Sequence, residues 1–124
     1  ELLARLRALQ RRSPDLHSQQ IQFGPILLNY TDRTVYSQQS HSQQLMALTN
    51  KEFQLLEYFM SHPRQIITKD QLFFQLWESG AEVGSNVVAA QMRLLRRKLA
   101  QHGCADLIET LPSMGYRLNP AYAQ

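Results

Sequence analysis

Residues 85–103 read S-N-V-V-A-A-Q-M-R-L-L-R-R-K-L-A-Q-H-G, and this stretch decides the architecture. Val88, Met92, Leu95 and Leu99 recur at spacings of 4, 3 and 4, the inward stripe of a helix running from about Ser85 to Gln101. Gly103 follows it as a stop. At about 100° per residue the opposite face carries Asn86, Ala90, Arg93 and Arg97. Arg93, Arg96, Arg97 and Lys98 fall in a segment, residues 83–102, that holds no acid. The formal net charge of +3 is modest, so the basic character is local, and residues 49–82 are net acidic. Such a face is either solvated surface or a surface for an anionic partner.

Two shorter helices precede it. Thr49-Asn50-Lys51-Glu52 has the form of a capping box, with Leu48 and Phe53 as the hydrophobic staple across it. Phe53, Leu56, Phe59 and Met60 then line one face until His62-Pro63 ends the helix. Thr68-Lys69-Asp70-Gln71 repeats the device, with Ile67 and Leu72 as its staple. This second helix is expected to bury Leu72, Phe73, Leu76 and Trp77 and to stop near Gly80. The connector that follows, residues 78–84, is longer than the roughly 3–4 residues of a simple helix-turn-helix.

Both ends of this helical block read as strands. Residues 21–23, 26–30 and 34–36 are rich in β-branched and aromatic types, broken by Gly24-Pro25 and Thr31-Asp32. Residues 38–44 are polar and read as a loop before a short apolar strand at 45–47. Residues 107–111 and 116–118 flank Pro112-Ser113-Met114-Gly115, a hairpin with its turn chemistry in place. The fold class is α+β: an N-terminal antiparallel sheet, three helices and a C-terminal β-hairpin wing, forming a winged helix-turn-helix.

Composition narrows the function. Apolar residues make up 44% and charged residues 19%, far from the signature of disorder. Apolar runs are only a few residues long, against the roughly 20 needed to span a bilayer, so no membrane partner is expected. The single cysteine, Cys104, excludes an internal disulfide and a multi-cysteine zinc site, and suggests a reducing compartment. A small, partly buried filler is the simplest role for it, a redox-sensitive thiol the sharper one. His17, His41, His62 and His102 share no metal-ligand spacing and read as surface residues. No phosphate loop, nucleophile elbow or zinc-protease motif is present, so no catalytic residue, metal or cofactor is assigned.

The first residues form a separate unit. Leu2, Leu3, Leu6 and Leu9 alternate with Arg5, Arg7, Arg11 and Arg12 as a short amphipathic helix over 1–12 that needs another surface to cover it. Residues 13–20 read as a linker, and the folded domain occupies 21–120. With no initial methionine and no leader pattern, the chain reads as a piece of something longer.

Four fragments in order carry a resemblance: Leu48-Thr49-x-x-Glu52-Phe53-x-Leu55-Leu56, Leu72-x-x-x-Leu76-Trp77, Arg93-x-Leu95-Arg96-Arg97-Lys98-Leu99 and Gly115-Tyr116-Arg117. Across residues 21–118 they resemble the winged-helix response regulators of the OmpR/PhoB type. The leading E-L-L-A-R-L-R-A-L-Q-R-R is similar to the last helix of their receiver domain. The resemblance implies a cytoplasmic, phosphorylation-controlled transcription factor of a two-component system, with a receiver domain and a cognate sensor kinase in the full-length protein. It implies binding of double-stranded DNA at tandem half-sites and contact with RNA polymerase.

Asn86, Gln91, Arg93, Leu94, Arg96 and Arg97 match positions that face DNA in that family. Ala90, from the helix phase, and Arg117, from the wing, complete the candidate DNA-binding set. Leu94 stands where an arginine is common, Ala89 where an acid is frequent, and Pro112 where many members carry a wing arginine. Glu78, Ser79, Gly80, Ala81 and Glu82 match the segment some members present to polymerase. The three departures motivate an alternative, a winged-helix module used mainly for protein–protein contacts.

Overall fold

A computed structural model of the chain describes residues 19–39, 42–77 and 86–122. The helix and linker expected over 1–18, His17, His41, and the connector with Glu78, Ser79, Gly80, Ala81 and Glu82 lie outside the described residues.

Four strands open the domain: β1 (Gln20–Phe23), β2 (Ile26–Asn29), β3 (Thr34–Gln39) and β4 (Ser42–Met46). They pair in sequence order as an antiparallel meander. Ile21, Leu28, Val35 and Met46 are cross-strand neighbours on the face turned to the helices. The loop expected over 38–44 is a correction, because β3 runs on to Gln39 and β4 already starts at Ser42. Gln38 pairs with Gln43 and Ser37 with Gln44. Backbone pairing needs no apolar side chain, so a polar hairpin end is invisible to a reading based on composition.

Three helices follow, α1 (Asn50–Ser61), α2 (Lys69–Leu76) and α3 (Asn86–Gln101); α1 packs on β1, and α2 and α3 pack on α1 and on each other. The capping box of α1 is complete. The Glu52 amide donates to Thr49 Oγ1 at 3.3 Å and the Thr49 amide to Glu52 Oε1 at 2.9 Å. At α2 only half of the device forms: the Gln71 amide donates to Thr68 Oγ1, while the Gln71 side chain donates instead to the Tyr58 hydroxyl.

A second correction concerns the end of α2. The helix stops at Leu76, not near Gly80, with Trp77 already extended at ψ 143°. Lys51 explains the early stop: its ammonium donates to the Leu76 carbonyl and lies 4.8 Å from the Trp77 ring centroid. A cation satisfies the orphan carbonyl that another helical turn would have used. Within α2 only Leu72 is buried; Phe73, Leu76 and Trp77 sit half-buried at the core's margin.

Strands β5 (Ile108–Leu111) and β6 (Gly115–Leu118) close the fold as a hairpin. Ile67, between α1 and α2, exchanges hydrogen bonds of 2.7 and 2.8 Å with Tyr116. Gly115 allows that approach, since a Cβ there would lie 2.4 Å from the Ile67 carbonyl oxygen. Past β6, the Tyr122 ring lies against Gly24 and its hydroxyl donates to Asp106, which pushes the phenol pKa up to about 12.

Glu52 joins the helices. It is 2% exposed, and Lys98 of α3 donates to its Oε1 at 2.6 Å. Burial pushes the Glu52 carboxyl up, but Lys98 and the Thr49 cap outweigh it, so its pKa lies below the ordinary 4.5. A depressed carboxyl stabilises the fold fully above its unfolded pKa and loses that contribution as pH falls through the folded value. Glu52→Gln is expected to cost about 2 kcal/mol at pH 7, less than the about 3–5 of a fully buried pair because Lys98 is 31% exposed. The variant should also lose less stability than wild type between pH 5 and about pH 3. Urea melts at several pH values check this; parallel pH profiles for the two proteins would refute it.

Candidate nucleic-acid interface

The geometry starts with α3. Val88, Met92, Leu95 and Leu99 are each at most 1% exposed, so the stripe read from the spacing is the face that meets the core. That burial fixes the helix's rotation. Asn86, Ala90, Arg93, Leu94 and Arg97 are consequently exposed along the opposite face, Leu94 to 40%. Gln91 and Arg96 lie at the margins of this face, half-buried; the Gln91 side-chain oxygen is buried without a hydrogen-bond partner.

The four cations of α3 divide into two kinds. Lys98 is held by Glu52. Arg96 donates from Nη2 to Thr110 Oγ1 at 2.5 Å and lies 5.4 Å from the Tyr116 ring centroid. Arg93 and Arg97 make no ion pair or hydrogen bond among the described residues. Among the described residues their charges face solvent uncompensated, and α3 itself carries no carboxylate to compete for an approaching anion.

The wing stands beside that face. The Met114 amide donates to the Leu111 carbonyl at 2.9 Å, closing the turn, and Ser113 takes φ +67° at its third position. Together with Pro112 at the second position this has the form of a type II turn. The turn carries no charge. A cleft of about 420 Å³ separates it from the first turn of α2, between Thr68–Lys69–Asp70 and Thr110–Tyr116.

Arg117 stands apart from the other candidates. It points to the outer side of the hairpin with Glu109, which accepts from its Nε at 2.9 Å and Nη2 at 2.5 Å. On that side it lines an open groove of about 780 Å³ with Arg64, Phe23, Gly24, Pro63 and Pro120; none of these lies on α3. Helix periodicity found the α3 residues. Arg96's and Arg117's partners lie on other strands, where no local spacing points to them.

Two residues read as surface groups are more enclosed. His102 is half-buried, its Nδ1 2.7 Å from the hydroxyl of the fully buried Ser37, and His62 is half-buried against Tyr58. His62 caps the end of α1, and the His102 ring is tied to a strand, roles that local sequence does not announce. Cys104 is 2% exposed.

A winged-helix domain that offers a basic, unpaired helix face beside a hairpin is the class defined by this geometry. Residues 43–118 match the family described as "Transcriptional regulatory protein, C terminal", and the chain belongs to that family. It is 48% identical over 121 residues to the response regulator RppA of Synechocystis sp., covering 94% of this chain and 52% of that protein. To the two-component response regulator PhoP of Pseudomonas aeruginosa it is 37% identical over 116 residues, covering 94% and 50%. The chain thus spans about half the length of the curated relatives it matches. Among solved structures, the fold is shared with the RstA DNA-binding domain of Klebsiella pneumoniae in complex with the RstA box. There the TM-score is 0.69 at 24% identity, over 82% of this chain and 98% of that one. Among the described residues no helix is long and apolar enough to cross a membrane.

Burial pushes the Cys104 thiol above its ordinary 9.0, with Asp106 adding to the effect. Reaction with a disulfide reagent is therefore expected only as the domain unfolds, at a rate that rises with denaturant. Rapid stoichiometric labelling of the native protein would contradict the enclosed position.

Proposed function

We propose that this domain binds double-stranded DNA, sequence-specifically, as the effector part of a two-component transcriptional response regulator. The observation that carries the reading is the pair of unpartnered guanidiniums, Arg93 and Arg97, on the one α3 face that packing leaves open. Membership of the regulator family and the fold shared with DNA-binding domains of response regulators support it.

In this reading α3 enters the major groove. Arg93 and Arg97 contact phosphates, and Asn86 reads base edges, since an amide pairs bidentately with adenine; Gln91 joins it by turning its buried side-chain oxygen outward. Ala90 and Leu94 lie against the groove floor. The wing approaches the neighbouring backbone with a neutral tip, so specificity rests on α3. Arg117, paired to Glu109 on the outer side of the hairpin, takes a supporting role. Tandem half-sites about one helical turn apart, a receiver domain under a sensor kinase, contact of RNA polymerase through Glu78–Ser79–Gly80–Ala81–Glu82, and a cytoplasmic location complete the proposal. A second reading, a module for protein contacts, draws on the exposed Leu94 and the uncharged wing turn.

A salt titration separates the two. Replacing Arg93 and Arg97 together by alanine should lower the magnitude of the log-affinity against log-salt slope by about 2. Because both side chains are exposed and unpaired, the melting temperature should stay nearly constant. An unchanged slope in the folded variant would remove α3 from the interface, and salt-independent binding of the parent domain would favour the protein-contact module.

A further inference from the structure

We propose that Arg96 is a positioning residue that locks the wing to α3, and that it makes no direct contact with the nucleic-acid backbone; this rests on the DNA-binding reading above. One guanidinium touches both strands of the hairpin. Its Nη2 donates to Thr110 Oγ1 on β5 at 2.5 Å, and its carbon lies 5.4 Å from the centroid of Tyr116 on β6. Its Nε is buried without an acceptor while its Nη2 meets Thr110 at the exposed edge of the hairpin, so the group leans on the wing rather than standing free on the face that displays Arg93 and Arg97. A planar fork can donate at one edge while its face lies on a ring; a lysine ammonium has neither the plane nor the reach.

The base of the wing is held at a second place. Ile67 exchanges two backbone hydrogen bonds with Tyr116, and Gly115 permits the close approach. The bridge fixes where β6 passes the α1–α2 loop, and Ile108, Tyr116 and Leu118 bury the inner face of the hairpin in the core. The Arg96–Thr110 bond adds a tie from α3 to β5, at the same rung of the ladder as Tyr116, and so limits how far the hairpin can swing relative to that helix. Since the turn at Pro112–Ser113 is closed by its own hydrogen bond, the tip follows the base. Helix and wing then present themselves to a duplex as one body with a set separation.

The test uses the domain with two duplexes derived from a selection on random DNA: a full site with its flank, and a site truncated to the α3 half-site. Arg96→Gln and Thr110→Val should each weaken full-site binding by about tenfold, while truncated-site affinity changes less than about twofold. The double variant should be no worse than the worse single, because both remove the same link. Arg96→Lys should behave like Arg96→Gln despite its charge, and Thr110→Ser should restore binding. The salt slope on the truncated site should be the same for Arg96→Gln as for wild type. A slope smaller by about 1, or additive losses in the double variant, would overturn the proposal in favour of a direct phosphate contact. Amide exchange in the free protein gives an independent readout: Met114 and Tyr116 should exchange faster in Thr110→Val while the α3 amides do not. If wild type binds neither duplex, the DNA-binding reading falls, and unchanged wing exchange would by itself refute the lock.

Discussion

Glu52 carries its charge into the interior, and the arrangement of the helices depends on how that charge is satisfied. A lone buried carboxylate would cost several kcal/mol, so it persists only where donors converge on it. Two donors come from different elements: the Thr49 amide, which the helix start must satisfy anyway, and the Lys98 ammonium of α3. The capping box therefore does more than start α1. It places a fixed negative group where α3 must bring a cation, and so sets the position of α3 along α1. The apolar stripe fixes which face of α3 turns inward, and the ion pair adds a directional contact at one point along it.

The same pairing sorts the basic residues of α3. Lys98 is drawn inward and Arg96 is turned toward the hairpin, while Arg93 and Arg97 remain on the open face. A cluster of four cations in sequence is thus two structural groups and two without a partner among the described residues. Composition and net charge cannot make that division; three-dimensional partners do.

Much of the fold was legible because its signals are local. The α1 cap lies within four residues, the α3 stripe repeats every three or four, and the wing turn carries its own proline and glycine. The misreadings have two causes, backbone pairing without an apolar signal and partners distant in sequence. The 38–44 hairpin end is held by backbone pairing that glutamines and serines neither announce nor oppose. The end of α2 is set by Lys51, a residue of another helix. The enclosure of His102 depends on Ser37, 65 residues away. Of the candidate site, the helix face was readable from phase alone, whereas the internal pairing of Arg96 and Arg117 required the hairpin's register to be known.

What unites these observations is a division of labour on one helix, with packing and pairing on one side and an uncompensated basic face on the other. A titration of the isotope-labelled domain with a selected duplex, followed by amide and side-chain NMR shifts, addresses that division most directly. Shifts should concentrate at Asn86, Ala90, Arg93, Leu94 and Arg97 and at the wing turn, leaving Leu27, Tyr36 and Leu45 on the outer sheet face unmoved. Shifts centred on that sheet face, or on the groove lined by Arg64 and Arg117, with α3 silent, would contradict the account.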